Sequence, residues 1–475
     1  MSRILLLVAV VLIMTHLPAE AWRVFLPLLH GDRPAPTATA TAAATTTPSG
    51  VHYVGPDGDD TGPGTLGRPW ATLQHAADVA EAGETIFLRG GVYNESVVID
   101  RGGVPGAPIV FAAYANETPV LDGTGMGAAQ GIDIGEADWL TFEGLVVRNF
   151  GAFGFVAWGE SDGITLRRME FSGVETAVKF QAGGTGDSPA AEDLLLEDIY
   201  AHDYSGSGFD CGPGGPCVRL TIRRFRAIGP GKGDDTAVDG FAVESGSDVL
   251  VEDSTSVGHA GDGFDLKSDR STLRRVVSLD QGRNGIKLWG RDSRLETSIS
   301  AGNGLEGLVL EAGGSYTVLN CLIANSRLYG YTVGLGYDSS LATPITMRNT
   351  TISTALPENG GTLVFVARAV QLDADFNLYY APNRADAVIC VEEGDRCYGA
   401  EDISGGTWTA ASGQDAHSRY AAPAFRDESA HDFHPTVASP GLDAGDCSVA
   451  PSPDLDGIPR PQGSGCDVGP YEGAG

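Results

Sequence analysis

Gly240-Phe-Ala-Val243, Gly263-Phe-Asp-Leu266, Gly285-Ile-Lys-Leu288 and Gly307-Leu-Val-Leu310 repeat one phrase, a small residue followed by apolar, variable and apolar positions, at intervals of 23, 22 and 22 residues. Upstream the phrase reads Gly131-Ile-Asp-Ile134, Gly154-Phe-Val-Ala157, Ala177-Val-Lys-Phe180 and Gly208-Phe-Asp-Cys211, and downstream Gly330-Tyr-Thr-Val333. Two longer intervals, of 31 and 32 residues, mark insertions near 181–205 and 211–237. A second phrase keeps step: Val251 with Ser254, Leu273 with Val276, Leu295 with Ser298 and Val318 with Cys321. Regular spacing of this kind indicates stacked units. Each unit holds at least two short strands of period two and little helix, and no leucine-rich consensus is present. The arrangement that buries every inward side chain is a single-stranded right-handed parallel β-helix of 22–23-residue coils, all-β in class, each coil about 4.8 Å above the last.

The open end of such a stack must be covered. The amphipathic segment 71–82, with Leu73, Ala76, Val79 and Ala80 on one face, precedes the strands expected at Thr85–Leu88 and Val97–Ile99 and is read as the N-terminal cap. The period fades beyond about Ala355. The reading is therefore a signal peptide over 1–21, a Thr/Ala/Pro-rich linker over 22–50, a β-helix over 51–355, and a β-helix end with an irregular terminal segment over 356–475.

Composition agrees with an exported enzyme or binding protein. In 475 residues, 31 Lys and Arg stand against 62 Asp and Glu, a net charge of −31 that sets aside nucleic acid and anionic membrane surfaces as partners. The 66 glycines promise frequent turns. Ile4–Met14 is an apolar run followed by Pro18 and the small residues Ala19 and Ala21, the pattern of a cleaved secretory signal and too short for a membrane span. Seven cysteines form three near pairs, Cys211/Cys217, Cys390/Cys397 and Cys447/Cys466, with Cys321 left as a buried apolar side chain. A secreted monomer is expected.

In a β-helix, equal positions of successive coils become neighbours. The position before the small residue runs Ser207, Asp239, Asp262, Asn284, Glu306; two residues after the small residue the column runs Asp210, Ala242, Asp265, Lys287, Val309. Asp239, Asp262 and Asp265 thereby gather on two coils, and oxygen ligands of this type suit Ca²⁺ rather than zinc. Asp234 and Asp235 sit in the inserted loop beside them. Ordinary Asp-Gly turn chemistry explains the same residues without a metal. Only four lysines exist, Lys179, Lys232, Lys267 and Lys287, against 27 arginines. A lysine can lose its proton where arginine cannot, which makes Lys287 the candidate base; a ladder salt bridge with Asp265 is the plainer alternative. Lys267 is read as a partner of Glu244 and Lys179 as structural. Trp289 is read as a sugar platform, with Arg291 and Arg283 as holders of substrate carboxylates.

Val238-Asp-Gly-Phe-Ala242, Gly261-Asp-Gly-Phe-Asp265 and Asn284-Gly-Ile-Lys-Leu288 resemble the core motifs of polysaccharide lyase family nine, secreted right-handed β-helix enzymes that cleave pectate by β-elimination. Tyr53-Val-Gly-Pro-Asp-Gly58, Pro69-Trp-Ala-Thr-Leu73, Gly90-Gly-Val-Tyr93, Asp375-Phe-Asn-Leu-Tyr379 and Gly413-Gln-Asp-Ala-His-Ser418 are similar to other segments of such proteins. Ser439-Pro-Gly-Leu-Asp-Ala-Gly445, Asp456-Gly457 and Asp467-Val-Gly-Pro-Tyr471 resemble a terminal segment of exported bacterial β-helix proteins. The resemblance spans about residues 51–471. It implies Ca²⁺ ligands at Asp239, Asp262 and Asp265, a catalytic base at Lys287 and an acidic, uronate-containing polysaccharide as substrate. One position departs: where the family has paired aspartates, this chain has Gly261 before Asp262. His259, Asp234 and Asp235 are the nearby residues that could replace the missing ligand. Three other readings keep the scaffold: a uronan epimerase, a glycoside hydrolase using the three aspartates, and a non-catalytic glycan-binding or adhesion protein.

Overall fold

The computed structural model describes residues 50–473, apart from 182–190, 213–214, 232–237, 312, 327–330, 337–340, 356–360 and 393–395. The expected signal peptide, nearly all of the linker, and Asp234, Asp235 and Lys232 lie outside the described residues. The fold is a right-handed parallel β-solenoid of about 11 turns. Each coil gives one strand to each of three long sheets, which run the length of the stack with parallel neighbours, except for an antiparallel pair between Ile389–Val391 and Arg396–Tyr398 at the far end. The sheet that carries the opening phrase includes β1 (Phe241–Val243), β2 (Phe264–Leu266), β3 (Ile286–Leu288), β4 (Leu308–Leu310), β5 (Tyr331–Leu335) and β6 (Thr362–Val366), in that order.

Inward side chains of this sheet repeat from coil to coil. Phe241 pairs in register with Phe264, and their rings stack 4.7 Å apart and 4° from parallel. Ile286 and Leu308 continue the column. The small residue of the phrase has a steric cause: a Cβ on Gly240 or Gly263 would stand 2.1 Å from the Oγ of Ser256 or Ser278, inside the lumen. The corners hold non-glycine residues in the left-handed region. Asp198, Arg224, Asp253 and Arg275 occupy one corner in successive coils at φ between 50° and 57°. Their side chains alternate in sign, and Arg224 meets Asp198 as Arg275 meets Asp253.

The cap is helix α1 (Leu73–Val79), N-capped by Thr72, whose Oγ accepts from the His75 amide. Leu73, Ala76, Ala77 and Ala80 are buried, whereas Val79, expected on the same face, is 39% exposed. The i, i+3, i+4, i+7 stripe from Leu73 passes through Ala77 and misses Val79.

Strand stacking continues beyond Ala355, where the sequence period fades. Val333 pairs with Val364 and Val364 with Ile389, at intervals of 31 and 25 residues that exceed the 22–23 of the regular coils. The far end is closed by α2 (Ala400–Ser404) and α3 (Thr407–Ser412), which bury Ile403 and Trp408 against the same core. The terminal segment then returns along the outside of the stack. Phe433, Leu455 and Tyr471 cover Val277, Ile299 and Leu322, and Asn320 Nδ2 donates to the carbonyls of Asp467 and Gly469. The three cysteine pairs are disulfides, and Cys321 is free and buried. Among the described residues no helix is long and apolar enough to cross a membrane.

Candidate active site

The outward column of β1, β2, β3 and β4 reads Ala242, Asp265, Lys287 and Val309 in direct register. Alternation forces this orientation: Phe264 and Leu266, or Ile286 and Leu288, fill the core, so Asp265 and Lys287 between them point away from it. Lys287 Nζ donates to Asp265 Oδ2 at 2.9 Å and lies 3.6 Å from Asp262 Oδ2. All three side chains are nearly closed to solvent, with residue exposures of 8% for Lys287, 4% for Asp265 and 2% for Asp262. Such a charge cluster persists in a buried position only because its members neutralise one another.

The neighbouring column is tied together by backbone. The Asp262 amide donates to Asp239 Oδ1 at 2.6 Å, and the Asn284 amide and Nδ2 both donate to Asp262 Oδ1 at 2.9 Å. Burial, followed by the charge of Asp262, pushes the Asp239 carboxyl up to about 7. Burial and Asp265 raise that of Asp262 as well. Proximity of carboxylates thus carries a cost that a positive charge would remove.

Trp289 is 39% exposed, and its ring lies over Lys287, with Nζ 4.0 Å from the centroid. Lys267 pairs with Glu244 at 2.5 Å, as expected, but also approaches Asp265 Oδ2 to 3.4 Å. Sequence reasoning missed this second contact, although the coil register that gave Asp265 and Lys287 places Lys267 beside them. Lys179 pairs with Asp210, several coils away. Arg291 is engaged at the corner, donating through its backbone and guanidinium to Asp269. Arg283 is half-buried, and its charge acts on Asp262 and Glu306.

The donor chemistry suits a hard cation. All the acids offer oxygen, and the buried Oδ1 atoms of Asp265 and Asn284 have no hydrogen-bond partner. As they stand, the carboxylates converge on Lys287 Nζ. Among the described residues no three His, Cys, Asp or Glu side chains already form an ion cage. Gly261 has a structural counterpart: a Cβ there would stand 2.2 Å from Asp239 Oδ1, so Asp239 fills the space a side chain at 261 would need. Of the residues named beside Gly261, His259 is engaged elsewhere. Its ring is wholly buried, with its nitrogens engaged by Tyr204, Ser256 and Gln281.

A model of the Pel9A-like right-handed β-helix region matches residues 52–334. The chain belongs to the Pel9A-like β-helix family. A crystal structure of pectate lyase Pel9A superposes with a TM-score of 0.54 at 17% identity, covering 89% of this chain and 96% of that one. Pectate lyase PEL9 of Emericella nidulans is 32% identical over half of this chain and 62% of its own length. Pectate lyase L of Paenibacillus polymyxa is 29% identical over 66% of each chain. An uncharacterized protein of Bacillus subtilis, YwoF, is 24% identical over 82% of this chain and 91% of its own. Proteins named as pectate lyases thus occur among both the sequence relatives and the solved structures that this chain resembles.

Proposed function

We propose that the chain is a secreted polysaccharide lyase that cleaves an acidic, uronate-containing polysaccharide by β-elimination, with Lys287 as the base. The observation that carries this reading is the buried Lys287–Asp265 pair with Asp262 beside it and an exposed indole above. Lys287 takes the proton from C5 of a uronate, and the C4 oxygen leaves, generating an unsaturated sugar without water. Carboxylates favour the ammonium form of a lysine they touch. In this structure Asp265 and Asp262 are the counter-charges that face Lys287 Nζ. Asp239, Asp262 and Asp265 would hold Ca²⁺, with Asp235 from the inserted loop as a further ligand. When bound, the ion would supply a Lewis acid for the uronate carboxylate and a counter-charge for the aspartates. Trp289 limits where Nζ can move and offers a face to the sugar; Arg283 and Arg291 flank the path of the substrate carboxylates. The disulfides fit an oxidising compartment, which supports action outside the cytosol.

The test is absorbance of unsaturated ends when the purified chain meets a panel of acidic polysaccharides, with Ca²⁺ or with chelator. Wild type is expected to yield product only with Ca²⁺, and Lys287→Ala to lose about 10²–10⁴ of the rate. Equal rates in the two proteins would remove the base. Binding without product on every polymer would make the chain a glycan-binding protein.

A further inference from the structure

The outward face of the site sheet changes character on the C-terminal side of Lys287. Register carries Lys287 to Val309, then to Gly334 on β5 and Phe365 on β6. Gly334 and Phe365 therefore lie two and three coils beyond the base, about 10 and 14 Å along the axis at about 4.8 Å per coil. Gly334 has no side chain because another residue uses its place: a Cβ there would stand 2.3 Å from Cε2 of Tyr331. The Tyr331 ring so placed stacks on Phe365, with centroids 5.1 Å apart and planes 15° from parallel. Both residues are half-buried. Together they extend the Asp265–Lys287 column as a two-ring aromatic step.

The coil between base and rings is acidic. Glu306 follows Asn284 in its column, and Glu311 follows Trp289, its amide donating to Leu288 O just as the Trp289 amide donates to Leu266 O. Neither residues 305–311 nor 331–336 include a Lys or Arg among those described. The lysines of this face, Lys287, Lys267 and Lys179, all lie on β3 or earlier coils. Beyond Arg283, whose charge acts on Glu306, a uronate moving onto the rings would pass two carboxylates and meet no Lys or Arg among the described residues 305–311 and 331–336, whereas the C–H face of an uncharged sugar would gain from apolar contact with the step.

Resting on the lyase reading above, we propose that Tyr331 and Phe365 form a subsite for an uncharged pyranose, two to three coils from the uronate that reacts at Lys287. The substrate is then a partly esterified uronan or one that alternates uronate with neutral sugar, not a fully ionised homopolymer.

Calorimetric binding to Lys287→Ala protein in Ca²⁺ tests this without turnover. The probes are a de-esterified oligouronide, its methyl ester and an alternating uronate–neutral-sugar oligomer of equal length. At least one uncharged-ring probe is expected to bind about tenfold tighter than the ionised one, and which of the two does so identifies the source of the neutral ring. Adding Tyr331→Ala or Phe365→Ala should erase that preference and leave the ionised probe within about twofold. Tyr331→Phe, which keeps the ring, should retain it and controls for folding. Equal binding of all three probes, or a preference that survives loss of both rings, overturns the subsite. A wild-type protein that forms unsaturated product without any such preference sinks the subsite alone; a preference without product sinks the lyase reading alone.

Discussion

Asp239 shows how one residue links the site to stability. Its carboxyl is pushed up to about 7 by burial and by Asp262, well above the usual carboxylate range. The folded chain therefore binds this proton more tightly than the unfolded chain. The stabilising effect is complete below the unfolded value near 4 and is lost as pH rises through about 7, on the order of a few kcal/mol. Calcium-free protein should accordingly melt higher at pH 5 than at pH 8, other groups being equal, and Asp239→Asn should flatten that difference in calorimetric scans. An unchanged pH profile in the variant would mean the carboxyl is not the source. Gly261 carries a second prediction. Because its Cβ direction points at Asp239 Oδ1 and, at 2.8 Å, at the Val238 carbonyl, Gly261→Asp is expected to cost about 1–3 kcal/mol in urea titration. A variant as stable as wild type would show that the space can open. The sequence already displayed the absent carboxylate, and its columns correctly joined Asp265 to Lys287. It did not disclose that Asp239 occupies the gap, that His259 is buried and engaged elsewhere or that Lys267 reaches Asp265. Those depend on side-chain direction and corner path, which register alone leaves open.

At the scale of the coil, what could be read was what repeats. The glycine phrase reports a close approach to lumen serines, and the apolar positions flanking each outward residue report the core. Val251, Leu273, Leu295 and Val318, the second phrase, pair in order on another sheet. The register of the β-helix end past Ala355 and the return of the terminal segment over Val277 and Ile299 were not legible, because hydrogen-bonded pairing tolerates unequal coil lengths and a covering segment has no period of its own. Repetition also separates strong contributions from weak ones. Phe264, stacked on Phe241 and fully buried, should cost about 3–5 kcal/mol as Phe264→Ala. Arg270, paired with Asp248 on an exposed corner, should shift the midpoint far less as Arg270→Ala, and less still in high salt. Denaturant midpoints of the two variants measure the contrast. Comparable losses would mean that the corner ladders, rather than the ring stack, hold the coils together.

The whole molecule sets a condition on how a charged polymer reaches the site. With a net charge of −31, the chain repels a polyanion at long range, while Lys287 and Lys267 stand 2.9 and 3.4 Å from Asp265 and the charge of Arg283 acts on Asp262. Screening acts unequally on these two scales. At about 0.15 M salt the Debye length is about 8 Å, so distant repulsion fades while contacts inside the closed cluster are less affected. At about 0.01 M it is about 30 Å, and most of the acidic surface is felt by the approaching polymer. For an acidic polysaccharide the expected result is therefore a KM that falls as monovalent salt rises from 10 to 150 mM at fixed Ca²⁺, with kcat nearly constant. An uncharged-ring substrate of lower charge density should show a smaller fall. The opposite trend, a KM that climbs steadily with salt, would mean that attraction by local cations governs encounter, and the binding face would then have to include basic residues beyond Lys287, Lys267 and Arg283.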